Sequence, residues 1–241
     1  MFANLSVLEK GKILILGFGR EGKDTYLFLR KLWPEKILAI ADQKELNQFE
    51  KKERQLLKKD KKLNLFLGKN YLRVIKNYPI IIKSPGISHL ITKPFISKKQ
   101  IITSQTEIFL QNYPGKIIGI TGTKGKGTTA SLIYQILKTG GIKVKLACNI
   151  GKPVLNLLFS AKPQHVLVYE LSSHQLYHLK KSPAIAVLLN IYPEHLDYYK
   201  NFENYLLAFK KFVNHLPKNG FLIANKYDKK IFKNFSKKIK N

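Results

Sequence analysis

The segment Ile117-Ile118-Gly119-Ile120-Thr121-Gly122-Thr123-Lys124-Gly125-Lys126-Gly127-Thr128-Thr129 constrains this chain more than any other. A β-branched run reads as a buried strand, and it opens into a glycine- and threonine-rich loop. A helical pattern follows over Ala130–Lys138, with Leu132, Ile133, Ile136 and Leu137 as its apolar positions. Strand, glycine loop and helix in this order form a phosphate cradle. Glycines let the backbone wrap an anion, and the helix N-terminus aims free N–H groups at it. Lys126 is placed to reach β and γ phosphate oxygens, and the Thr128 hydroxyl to hold Mg²⁺, so the expected ligands are ATP and Mg²⁺. The candidate ATP-binding residues are Gly122, Thr123, Lys124, Gly125, Lys126, Gly127, Thr128 and Thr129. The pattern departs twice from G-x-x-x-x-G-K-[ST]: Ile120 stands where the first glycine belongs, and Gly127 follows the lysine. A glycine turn without a ligand is the alternative, and the flanking strand and helix argue against it.

Around this unit the chain alternates short apolar runs with amphipathic stretches, which indicates an α/β fold of βαβ units with mostly parallel sheets. Lys12–Leu16, Ile37–Ala41, Leu63–Leu67 and Ile80–Lys83 are the expected strands of a first, Rossmann-like domain spanning residues 1–111. A break at Asn112-Tyr113-Pro114-Gly115 leads to a second, ATPase-type domain over residues 112–241. Its expected strands are Ile117–Thr121, Lys143–Cys148, His165–Glu170, Ala184–Asn190 and Phe221–Asn225, and it reads as cut short. The charged stretch Lys44–Lys62 reads as one surface helix with Leu46, Phe49, Leu56 and Leu57 on one side, and Lys229–Asn241 as a basic helix. The apolar run Ala184–Ile191 is about half of a membrane span. The N-terminus has no export-signal pattern, and Cys148 is the single cysteine, so a cytoplasmic location is expected.

The net charge of +28 raises nucleic-acid binding. Only four of the 43 basic residues are arginines, however: Arg20, Arg30, Arg54 and Arg73. The bidentate fork suited to phosphates and base edges is scarce, and the lysines run along the whole chain. Compositional drift toward lysine explains the charge, and no nucleic-acid partner is expected.

Gly17-Phe18-Gly19-Arg20-Glu21-Gly22 follows the first strand and opens a helix, and Asp42 ends the next strand. Taken alone this spacing spells NAD binding, with Asp42 on a ribose hydroxyl, although G-x-G-x-x-G also serves other pyrophosphates. In the second domain Glu170 ends an apolar strand on the edge where the phosphate loop should lie, where a carboxylate holds Mg²⁺ directly or through water. His195 follows the next strand beside Glu194 and Asp197. A lone histidine at a strand end is usually a surface residue, but these neighbours favour a second metal ligand. Lys126, Glu170 and His195 are the candidate catalytic residues. No convincing Ser/His/Asp or Cys/His set is present.

Several motifs, in order, resemble those of the Mur ligases, and in particular the branch that adds D-glutamate. Thr121 to Thr128 resembles the loop T-G-[TS]-[NKH]-G-K-[TSG]-[TS]. Asn149-Ile150-Gly151-Lys152-Pro153 resembles N-I-G-x-P, Glu170 to Leu176 resembles E-L-S-S-F-Q-L with His174 in place of Phe, and Asn190 to Asp197 resembles N-[IV]-x-x-D-H-[LM]-D. Upstream, Ser84-Pro85-Gly86-Ile87 resembles the S-P-G-[IV] turn. The resemblance implies an ATP-driven ligase of peptidoglycan synthesis joining D-glutamate to UDP-N-acetylmuramoyl-L-alanine through an acyl phosphate. It implies substrate contacts from Gly17, Gly19, Arg20, Glu21, Asp42, Ser84, Pro85, Gly86, Asn149, Ser172 and Gln175, with Thr128, Glu170 and His195 toward metal.

In the family a carbamylated lysine bridges the metals within a sequence like F-E-N-Y-x-x-A-K. Phe202-Glu203-Asn204-Tyr205 fits, but Phe209 then takes the lysine position and Lys210 lies next to it. Either the register shifts to Lys210 or the carbamate is missing. The family's C-terminal amino-acid-binding domain has no counterpart in these residues, so a fragment, or a split enzyme with a separate chain supplying that domain, is expected. Three other readings stay open: a folylpolyglutamate-type ligase, an NAD-dependent oxidoreductase and a non-catalytic nucleotide or UDP-sugar module.

Overall fold

A computed structural model describes residues 5–147 and 154–235. The chain divides into two compact units, Met1–Ile108 and Phe109–Asn241. In the first, α1 (Ser6–Lys10) leads to β1 (Ile13–Leu16), α2 (Arg20–Leu32), β2 (Leu38–Asp42), α3 (Lys51–Lys59), β3 (Leu63–Leu67), β4 (Ile80–Lys83), α4 (His89–Thr92) and β5 (Ile101–Thr103). α5 (Gln105–Asn112) runs across the division. The second unit continues with β6 (Lys116–Thr121), α6 (Lys126–Thr139), β7 (Val144–Ala147), β8 (Val166–Glu170), α7 (Ser173–Leu176), β9 (Ile185–Leu188), α8 (Leu196–Tyr199), α9 (Phe202–Asn214), β10 (Phe221–Ala224) and α10 (Lys229–Phe235).

The first sheet has the order β3-β2-β1-β4-β5 and the second β10-β9-β6-β8-β7; every pairing in both is parallel. Parallel strands are covered on both faces, so their central members are apolar without alternation. Ile13, Leu14, Ile15 and Leu16 of β1 are all fully buried, which is this rule in one strand. Each such side chain stabilises the fold by roughly 1.5–3 kcal/mol relative to exposure. In both sheets the first strand lies in the middle and the chain later crosses to its other side. The crevice beyond the C-terminal ends at such a crossing is where open α/β sheets bind ligands.

Several sequence expectations change. Lys44–Lys62 is not one helix: a turn over Leu46–Gln48 ends at Phe49, and α3 starts only after Glu50, which forms a capping box with Glu53. Phe49 causes the break, because its ring turns inward against Phe18 at 5.9 Å and is buried. β5 is an additional three-residue edge strand, too short to stand out as an apolar run. The helix after the phosphate loop begins at Lys126 rather than Ala130, and two of its four apolar positions face outward, with Leu132 59% and Ile136 69% exposed. Ala184–Asn190 shortens to β9, which frees Asn190 for the loop beyond. The break at 112–115 follows α5, whose end packs with the second unit: Phe109 meets Tyr113 at 5.3 Å and Tyr169 at 5.5 Å. Lys229–Asn241 is helical over α10, and Cys148, the Asn149–Pro153 motif and the last six residues lie outside the described part.

Candidate functional site

The phosphate loop of the second unit leaves β6 at the centre of its sheet. β8 and β9 flank β6, pairing Ile120 with Glu170 and Thr121 with Leu188. Parallel register thus brings the loop, Glu170 and the segment from Asn190 to one edge. Gly125, at φ +83°, turns the chain into α6, so Lys126 is the first helical residue. The Lys126 Nζ folds back over the loop and donates to the Gly122 and Thr123 carbonyls, at 2.9 and 2.7 Å.

Two side chains brace the loop from below. Asn190 pairs with both backbone groups of Lys124, accepting from its N–H at 2.9 Å and donating to its carbonyl at 3.0 Å. Its own carbonyl accepts from the Thr123 N–H at 2.9 Å. The buried Thr123 hydroxyl accepts from the Tyr192 N–H at 2.9 Å and lies 2.9 Å from the Tyr205 hydroxyl on α9. Thr123 therefore shapes the loop through its side chain, while its N–H and carbonyl are held by Asn190 and Lys126. The sequence assigns no role to Asn190 or Tyr205, although Asn190 opens the Asn190–Asp197 motif and Tyr205 closes Phe202-Glu203-Asn204-Tyr205. A side chain whose task is to hold backbone leaves no spacing signal.

The residues present suit a triphosphate with Mg²⁺. Glu170 is buried at the end of β8, and a Cβ placed on Gly127 would come 3.4 Å from its Oε2, so only backbone separates the start of α6 from the carboxylate. Thr128 is exposed on the first turn of α6. No group of three His, Cys, Asp or Glu residues forms a metal cage among the described residues. Mg²⁺ commonly takes one or two carboxylates plus phosphate oxygens and water, so it requires no such cage. Thr129 continues the first turn, its N–H donating to the Gly125 carbonyl.

His195 takes the left-handed conformation, φ 54°, before α8, and its Nε2 lies 3.6 Å from Glu194 Oε2. The His174 ring stacks edgewise on it, with centroids 4.6 Å apart, and on Tyr198 at 4.3 Å. Ser172 and Gln175 engage each other: Gln175 Oε1 accepts from the Ser172 N–H at 2.9 Å as part of the cap of α7. On α9, Phe209 is fully buried with its ring 5.0 Å from Tyr205, and Lys210 is the next residue, partly exposed.

In the first unit the glycine loop and the turn after β4 are joined. Ser84 Oγ donates to the Gly17 carbonyl at 2.9 Å, and the Ser84 N–H to Leu16 at 2.9 Å. A Cβ on Gly22 would come 1.8 Å from the Gly17 oxygen, so only glycine lets α2 approach this closely. Directions from Gly19 and Gly86 are open for at least 4 Å, leaving bare backbone toward a ligand. Arg20 and Glu21 begin α2, with Arg20 exposed, and Pro85 is partly covered. Asp42 points into the loop: Oδ2 accepts from the Phe18 N–H at 2.6 Å and Oδ1 from the Lys44 N–H at 2.9 Å. Lys83, which carried no role in the sequence reading, lies buried beneath the turn.

A sequence model of the Mur ligase middle domain matches residues 120–241. The chain belongs to the Mur ligase family. Among curated Mur ligases, the UDP-N-acetylmuramoylalanine–D-glutamate ligase of Clostridium botulinum (strain Hall) is 34% identical over 227 residues, covering 90% of this chain and 47% of the relative. That of Clostridium kluyveri is 35% identical over 218 residues, covering 89% and 46%. The chain thus spans about half the length of the curated relatives it matches. In fold it is similar to the UDP-N-acetylmuramate:L-alanyl-gamma-D-glutamyl-meso-diaminopimelate ligase of Neisseria meningitides. That match has a TM-score of 0.54 at 14% identity, covering 95% of this chain and 75% of the other.

Proposed function

We propose that this chain carries the UDP-substrate-binding unit and the ATP-binding unit of a ligase that joins D-glutamate to UDP-N-acetylmuramoyl-L-alanine. The observation that carries this reading is two glycine loops in one chain, each at the crossing point of its own parallel sheet. An oxidoreductase would use the first and leave the second idle. The names of the curated relatives supply the substrate class.

In this reading a substrate carboxylate oxygen attacks the γ-phosphorus, ADP leaves, and an acyl phosphate forms. The D-glutamate amine then attacks the acyl carbon, and phosphate departs with the C–O electron pair. Lys126 and the loop N–H groups offset the repulsion between carboxylate and triphosphate. Thr128, Glu170 and His195 would hold Mg²⁺, which supplies further charge neutralisation when bound. Asp42 orients the glycine loop of the first unit, which is poised for the diphosphate, and both of its carboxylate oxygens already accept from backbone N–H groups. A UDP compound and NAD both carry a diphosphate and ribose hydroxyls, so Asp42 suits either, and it is the second glycine loop, idle in an oxidoreductase, that favours the UDP reading. Calorimetric titration of the chain with UDP-N-acetylmuramoyl-L-alanine and with NADH decides between them. Binding of the UDP compound with little or none for NADH is expected, and tighter NADH binding would overturn the assignment.

A further inference from the structure

Lys83 ends β4 opposite Leu16 of β1, the residue just before the glycine loop. It is 1% exposed, an unusual place for an ammonium. Its Nζ donates to the carbonyls of Ser84, at 3.2 Å, and Ile87, the two ends of the Ser84-Pro85-Gly86-Ile87 turn. The Ile87 N–H closes the same turn on the Ser84 carbonyl at 3.2 Å, and Ser84 in turn grips Gly17. One buried cation thus ties together the turn that is latched to the glycine loop.

We propose that Lys83 is a positioning residue for a diphosphate-bearing ligand: it fixes the Ser84–Ile87 turn and sets a buried positive charge behind the bare backbone of Gly19 and Gly86. The inference rests on the nucleotide reading of the first unit. A buried ammonium is under-solvated, and an anion against the turn supplies the compensation that the surroundings give only in part. Burial pushes the Lys83 pKa down to about 8, with Glu21 of α2 acting the other way. The remaining charges nearby are Asp24 of α2, which is bonded to Gln105, His89 of α4, and Lys93. Burial lowers the His89 pKa, and the positive charges of Lys83 and Lys93 add to that. A bound diphosphate therefore raises the Lys83 pKa, so the protonated form binds more tightly and binding above pH 8 takes up a proton.

The test is calorimetry of the full chain with UDP-N-acetylmuramoyl-L-alanine between about pH 6 and 9, in buffers of different ionisation heats, for wild type, Lys83→Met and Lys83→Arg. Neither the substrate diphosphate diester nor its carboxylate titrates in that range, and the uracil N3–H, which begins to ionise at its upper end, affects all three proteins alike. We expect wild-type affinity to fall as pH passes 8, with proton uptake there. Lys83→Met should bind about tenfold more weakly near neutrality and show no proton uptake. Lys83→Arg should restore part of the affinity without the pH profile, because a guanidinium keeps its charge. ATP binding by all three should be equal. If Lys83→Met remains folded by circular dichroism and binds as tightly as wild type, the inference is overturned. If that variant does not fold, the wild-type profile decides, and binding without proton uptake overturns it. No binding by wild type at any pH overturns the nucleotide reading as well.

Discussion

Two lysines in the phosphate loop differ in what they can offer. Lys126 is partly buried, starts α6, and holds its ammonium over the loop by two carbonyl contacts. Lys124 is exposed, and it is its backbone, not its side chain, that Asn190 grips. Lys126→Ala should therefore weaken Mg·ATP binding by about 1.5–3 kcal/mol, the range of a charge-assisted contact, and Lys124→Ala by much less. Fluorescent ATP-analogue titration reads both, and equal losses would reduce the loop to a basic patch. The loop was legible because glycine and threonine spacing encodes backbone shape directly. The roles of Asn190, Tyr205 and Lys83 were not, since Asn190 and Lys83 hold backbone and Tyr205 meets the hydroxyl of Thr123, 82 residues away, and no short pattern records such pairings.

α6 shows the same limit at the scale of an element. Four apolar residues along it suggest one buried face, yet only Ile133 and Leu137 pack against the cluster of Ile118, Ile120, Ala130, Val168 and Val187. Leu132 and Ile136 stand in the open. Periodicity gave the helix but not the width of the face it buries. Leu137→Ala should lower stability by about 1–3 kcal/mol, whereas Leu132→Ala should stay within roughly 0.5 kcal/mol. Urea unfolding followed by far-ultraviolet circular dichroism measures both. The single tryptophan, Trp33, lies in the first unit, so its fluorescence should register the Leu137→Ala change less. The strands were readable for the opposite reason. A buried parallel strand is apolar throughout, and β1, β2, β4, β6 and β8 announce themselves as runs, while the three-residue edge strand β5 has no run long enough to see.

Over the whole molecule, lysine charge without arginine geometry sets the expected behaviour toward polyanions. Of the four arginines, Arg30 is committed to Asp60 at 2.8 Å and to the carbonyls of Trp33, Pro34 and Lys36, and Arg54 donates to Asn47. Association with DNA should therefore be indifferent to sequence and should drop by at least a hundredfold between about 50 and 200 mM salt. Binding of the UDP compound should survive the same change. Fluorescence anisotropy with two unrelated duplexes checks this, and a sequence preference retained at the higher salt would contradict it.

The central place of β6 has a consequence for how the protein is made. As the chain leaves the ribosome, β6 emerges before either of its neighbours, because β8 and β9 both lie further along the chain. Such non-local pairing is slow, since a long stretch must be closed before any contact rewards it. The Lys124–Asn190 pairing spans 66 residues, so the nascent loop waits for its brace until that much more chain has been translated. Until then an apolar strand and a floppy glycine segment are open to chaperones and proteases, and nucleotide cannot rescue them, because the pocket does not yet exist.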